Sequence, residues 1–222
     1  MFTRSITAPG DDQFSGGVGD FEVNPANGNF YYAYYDQPPS ATNRPNIYLR
    51  QLTNGVDWSD PIQANVEPGG VATDQWQPAI TVKPDGTKLF IAWYDRRDDP
   101  TNQSLIRMYG SFATLPITST SAFATNFAIS TVTFPPAFSG THTNAGEYDP
   151  VYPPLADGIS VSCVPGWFNY GAFSGYMGDY DRPFSDNNYV YYTWGDNRNT
   201  TTNHDVTRNQ ADVRFIRLSW PH

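Results

Sequence analysis

Three closely similar segments constrain this chain more than any other feature, because a fold must give equivalent places to equivalent sequences. Lys83 to Asp95 (KPDGTKLFIAWYD) aligns without a gap on Asn24 to Asp36 (NPANGNFYYAYYD), and Asp186 to Asp196 (DNNYVYYTWGD) is a third copy. Each opens with a polar turn, runs on through aromatic and β-branched residues, and closes with an aromatic, one spacer residue and Asp. That is the signature of a hairpin turn leading into its second strand.

The flanks repeat as well. Asp12-Gln13-Phe14 and Asp74-Gln75-Trp76 open candidate first strands, where the third copy has Gly178-Asp179-Tyr180-Asp181. Ile47 to Arg50, Leu105 to Tyr109 and Val213 to Leu218 are candidate third strands, and fourth strands are expected at Trp58 to Ala64 and near Phe127 to Thr131. Asp36 and Asp95 lie 59 positions apart, whereas Asp95 and Asp196 lie 101 apart. The second interval therefore holds one repeat plus an insertion of about 42 residues, placed within Thr133 to Gly175. This stretch is rich in Pro, Gly and aromatics, including Phe134, Trp167 and Phe168, and is expected to pack as an ordered excursion. Repeats of this length with four strands each predict an all-β chain of propeller blades, each a four-stranded antiparallel sheet. The blades fall at roughly 9–66, 70–132 and 176–222 of a single domain spanning 1–222, with the insertion at 133–175. A β-sandwich is the rival fold, but it does not require near-identical hairpins at fixed intervals.

Composition narrows the function. The net charge of -9 comes from 22 acidic against 13 basic residues, which argues against a nucleic-acid partner needing clustered Lys and Arg. Cys163 is the only cysteine, and His142, His204 and His222 lack metal-ligand spacing, so neither a disulfide nor a bound metal or other cofactor is expected. No apolar run is long enough to predict a membrane-spanning helix, and Met1 to Asp12 lacks the apolar core of a signal peptide.

Ala92-Trp93-Tyr94-Asp95-Arg96-Arg97, Thr193-Trp194-Gly195-Asp196-Asn197-Arg198 and Gly178-Asp179-Tyr180 resemble segments of sialidase-like propellers with BNR or Asp-box repeats. The resemblance implies a secreted or cell-surface propeller and is specific for fold rather than activity. Of the Asp-box pattern Ser-x-Asp-x-Gly-x-x-Trp, the segment Gln51 to Trp58 keeps only Gly55 and Trp58, a degenerate box. The Arg-Ile-Pro motif of true sialidases is missing, and Glu147-Tyr148 does not match their Tyr and Glu pair, which is not sequence-adjacent. No catalytic residue is carried over.

Propeller topology would gather the loops between second and third strands, and those entering first strands, on one ligand face. The candidates there are Trp76, Asp95, Arg96, Arg97, Tyr180, Asp181, Arg182, Asp196 and Arg198. Arginine forks suit a sugar carboxylate and aromatic faces suit apolar sugar faces. The competing reading is structural: the recurring aspartates fix a corner, Arg97 and Arg198 brace it, and Trp93 and Trp194 fill the core. Asp95, Asp98 and Asp99 lack the regular ligand spacing of a calcium loop. Three functions follow: non-catalytic binding of a glycan or protein through the loop face, exo-acting glycoside hydrolysis, or structural assembly.

Three blades fall short of the four to eight that close a ring. Phe2 to Ala8 aligns ungapped on the fourth strand expected at Trp58 to Ala64. The missing blades are expected from a longer six-bladed chain or from a second copy of this one.

Overall fold

The computed structural model describes residues 19–36, 44–66, 69, 72–101, 105–123, 125–135, 181–203 and 206–221. Among these the chain is all-β apart from a short 3-10 helix at Thr120–Phe123. The first sheet runs β1 (Asp20–Val23), β2 (Phe30–Asp36), β3 (Asn46–Leu52) and β4 (Ile62–Gln63). The second runs β5 (Gln75–Val82), β6 (Lys88–Asp95), β7 (Arg107–Thr114) and β8 (Asn126–Ala128). The third holds β9 (Pro183–Ser185), β10 (Tyr189–Asn203) and β11 (Val206–Ser219). Each is an antiparallel meander in chain order, and none closes on itself.

Register places the three aspartates alike within their hairpins. Asp36, Asp95 and Asp196 pair with Asn46, Arg107 and Asp212 on their respective third strands. The expected fourth strands are short, and the third sheet has three strands among the described residues rather than four. β10 does not stop at its aspartate: after a bulge between Asp196 and Asn199 it pairs on with β11 as far as Asn203 opposite Val206. Phe2 to Ala8, Asp12 to Phe14, Trp167 and Phe168 lie outside the described residues. Phe134, from the start of the expected excursion, is buried, bridges Ile106 and meets the Tyr94 ring edge-on.

The sheets stack face to face with the second in the middle, so β5 is buried on both faces and β6 nearly so. Strand alternation sorts the contacts. Phe90, Ala92 and Tyr94 face the third sheet, where Phe90 meets Tyr192, Phe112 meets Trp220, and Thr81 hydrogen-bonds Ser185. Leu89, Ile91, Trp93 and Asp95 occupy the opposite face, against the first sheet, whose Tyr31, Ala33 and Tyr35 are buried. Asparagine and glutamine side chains stitch that junction. Asn65 donates to Asn46 at 2.8 Å and to Gln75 at 3.1 Å, and Asn24 donates to the Gly86 carbonyl at 3.1 Å.

The turns into β6 and β10 share one device. Asp85 accepts from the Thr87 amide and hydroxyl and from Lys83, which together draw its pKa down to about 2. The equivalent Asp186 accepts from the amides of Asn188 and Tyr189, both at 2.7 Å, and is likewise lowered. The first copy uses asparagines instead: Asn24 caps Ala26 and Asn27 caps Asn29. Because both folded pKa values are depressed, the turn stabilisation is complete above the unfolded aspartate value of about 3.9 and is lost as pH falls through the folded values. Amide shifts of Thr87 and Asn188 should therefore titrate below about pH 4. Those of Ala26 and Asn29, followed in the same NMR series, should stay flat.

Candidate functional site

The Asp95 carboxylate is fully buried and held chiefly by its own strand end, with Gln75 Nε2 of β5 also donating to it at 3.4 Å. It accepts from the Arg97 amide at 2.7 Å, from Arg97 Nε and Nη2 at 2.9 and 2.6 Å, and from the Trp93 indole at 2.8 Å. Extended backbone puts Trp93 and Asp95 on one side, and in the turn beyond the strand end the Arg97 amide folds back onto Asp95, bringing its guanidinium with it. The Arg97 guanidinium then lies 4.2 Å over the Tyr109 ring with its side chain only 7% exposed.

Asp196 repeats the corner with Arg198, whose amide and guanidinium both reach it. One bond differs. Arg198 engages both carboxylate oxygens, and the buried Trp194 indole N–H, equivalent to that of Trp93, has no hydrogen-bond partner among the described residues. Asp36, followed by Gln37-Pro38 with no arginine two residues on, is exposed.

The other candidates are paired too. Arg96 is buried, bonds Asp74 at 3.1 Å and covers Trp76 at 5.0 Å. Burial raises the Asp74 pKa in spite of Arg96 and Arg44 beside it. Asp98 accepts from Arg107 and Tyr109, and Asp99 from the Leu105 amide, so the acidic triplet serves protein donors. Among the described residues no group of three or more metal-ligating side chains forms. Arg182 is 71% exposed and reaches Asp20 at 2.9 Å; Tyr180 lies outside the described residues.

What the structure does gather is an aromatic cluster between the second and third sheets. Trp76 stacks on Tyr94, and Tyr192 stacks on Trp194. The Tyr94 hydroxyl lies 2.5 Å from Asp181 Oδ2 and accepts from the Gly195 amide at 3.1 Å. Burial, then Asp181, raises the Tyr94 pKa well above the ordinary phenol value, and burial with Asp181 and Asp20 does the same at Tyr192. The Trp76 indole, the Trp194 indole and the Tyr192 hydroxyl are all buried and, among the described residues, have no hydrogen-bond partners. Such groups are rare in native interiors, each costing about 1–3 kcal/mol. Below the cluster Asp20 links all three sheets, leaving β1 to accept from the Ile80 amide of β5 and from Arg182 just ahead of β9.

The sequence named Trp76 and Asp181 but not Tyr94, Tyr192 or Asp20. The two tyrosines read as ordinary strand aromatics, and their one signal was the repeat itself, which sets Tyr94 against Tyr35 and Gly195. No protein-family model matches the chain, and no curated protein matches it significantly.

Proposed function

We infer that the chain is a non-catalytic, sialidase-like propeller module, secreted or displayed at the cell surface, that binds a glycan or a protein through its loop face beside the cluster of Trp76, Tyr94 and Asp181. Three meanders stacked in chain order, with the first strands β1, β5 and β9 brought together through Asp20 and the Thr81 to Ser185 bond, support blades around a common axis. The observation that carries the binding reading is the set of unpartnered buried donors at Trp76, Tyr192 and Trp194. Two indoles and a phenol on aromatic walls match the hydroxyl and carbonyl oxygens of a sugar. With Arg96, Arg97 and Arg198 already neutralised, the reading favours a neutral glycan over a sugar acid. The hydrolase alternative would rest on the Tyr94 hydroxyl, which donates to Asp181 at 2.5 Å as a phenol does to a general base. Among the described residues no helix is long and apolar enough to cross a membrane.

Tyr192→Phe tests the reading with two opposite signs. Losing an unpaired buried hydroxyl should raise folding stability by about 1 kcal/mol, while losing a ligand contact should weaken binding about tenfold. Glycan-array screening followed by calorimetry on the hit supplies the binding arm, and urea denaturation supplies the other. Unchanged affinity in Tyr192→Phe and in Trp76→Phe would remove this site from the reading.

A further inference from the structure

The repeat alignment assigns every strand face a direction. In β2, β6 and β10 the positions Tyr31, Phe90 and Tyr191 are equivalent, as are Phe30, Leu89 and Val190. The face bearing Tyr31 in the first sheet packs on the second, and the face bearing Phe90 in the second packs on the third. Each internal junction therefore joins a forward face to the backward face of the next sheet. Among the described residues two faces are left over, one of each kind.

The leftover backward face belongs to the first sheet. Phe21 stacks on Phe30 at 5.4 Å, Tyr32 on Tyr34 at 5.5 Å, and Trp58 meets Tyr32 edge-on. Their counterparts in the other sheets, Leu89, Ile91 and Trp93, or Val190, Tyr192 and Trp194, are all buried. The leftover forward face belongs to the third sheet, where Phe184 and Phe215 flank Tyr191 in a stacked row and Arg217 lies 4.6 Å over Tyr189. Phe184 is 69%, Phe215 62% and Val213 80% exposed, on the face whose equivalents Phe90, Ala92 and Tyr94 are completely covered.

We propose that these two faces bind each other between copies of this chain, head to tail, the first sheet of one copy seating on the third sheet of another. The occupant is specified by the molecule: the surface that complements a forward face is a backward face, and this chain carries one of each. Such a contact is heterologous, so two copies close into a ring of six sheets if the rotation allows. Six lies within the range of closed propellers. The inference rests on the sheet equivalence that also supports the propeller reading, and not on glycan binding. A chain that binds glycan as a monomer would refute the association alone, and an associating chain that binds no glycan would refute the binding alone.

Analytical ultracentrifugation of the full chain over a concentration series provides the test, with Phe21→Glu marking one face and Phe215→Glu the other. Both positions are exposed, so circular dichroism should show both variants folded. The unaltered chain should sediment as a two-chain particle, and each variant alone as a single chain, its association weakened at least about tenfold. An equimolar mixture of the two variants keeps one intact junction and should regain the two-chain particle. Growth of the unaltered chain beyond two copies, abolished by the same variants, would support the same contact without closure. A single-chain particle throughout, variants that still self-associate, or a mixture that stays single-chain would each overturn the proposal.

Discussion

Replacing Asp95 by alanine is expected to destabilise the chain by about 3–5 kcal/mol, as for breaking a buried ion pair from one side. The substitution leaves the Arg97 amide and the Trp93 indole without their acceptor, and the Arg97 guanidinium with the neutral Asn126 Oδ1 at 3.3 Å in place of a carboxylate, where water does not reach. Asp36→Ala alters the same repeat position where the carboxylate is exposed, and should stay within about 0.5 kcal/mol of the parent. Asp196→Ala should fall between them, because the Arg198 side chain is more exposed than that of Arg97 and can regain water. Urea denaturation of the three variants gives the ranking directly. Equal losses at Asp36 and Asp95 would show that burial of the corner does not govern its worth.

Phe90→Ala should cost about 3–5 kcal/mol as well, through a different cause. Phe90 sits at the middle of the stack, fully buried, touching Phe112 within its own sheet and Tyr192 across the junction. A cavity there lies between two sheets, and neither can collapse into it without breaking the Thr81 to Ser185 and Tyr94 to Gly195 bonds nearby. Phe215→Ala removes the same kind of side chain from an exposed face. In dilute solution it should change stability by no more than about 0.5 kcal/mol. Thermal unfolding at low protein concentration separates the two, and a large loss at Phe215 would mean that its face is covered within a single chain.

Much of this architecture was legible because period-two alternation and turn chemistry are local. The strands β2, β3 and β6 fall where aromatic and β-branched runs predicted them, β7 overlaps its expected place only from Arg107 to Tyr109 and runs on to Thr114, and the bracing of Asp95 by Arg97 is a local turn of two residues. Long-range partnerships left no such trace. Asp20 finds the Ile80 amide 60 positions away and Arg182 at 162, distances at which spacing carries no information. The continuation of β10 past its aspartate also escaped notice. The other two copies end there, and the run Asn199-Thr200-Thr201 reads as a polar loop until it is paired with β11. The proposed ligand contacts were half seen: Trp76 stood out at its strand opening, while Tyr192 was hidden in a regular alternation that gives buried and functional aromatics the same appearance.

The bracing of Asp95 by Arg97, and of Asp196 by Arg198, lies wholly within five consecutive residues of one chain segment. Each of these two hairpins thus carries its own fastening, and a duplicated stretch of coding sequence would bring that fastening with it instead of borrowing one from its neighbour. Arrays built this way can lengthen or shorten by whole units during evolution, with selection acting mainly on the surfaces where one unit greets the next. The first copy, which lacks the arginine, marks a unit released from that requirement. Its exposed corner has fewer contacts to lose on substitution than the two buried, fastened ones.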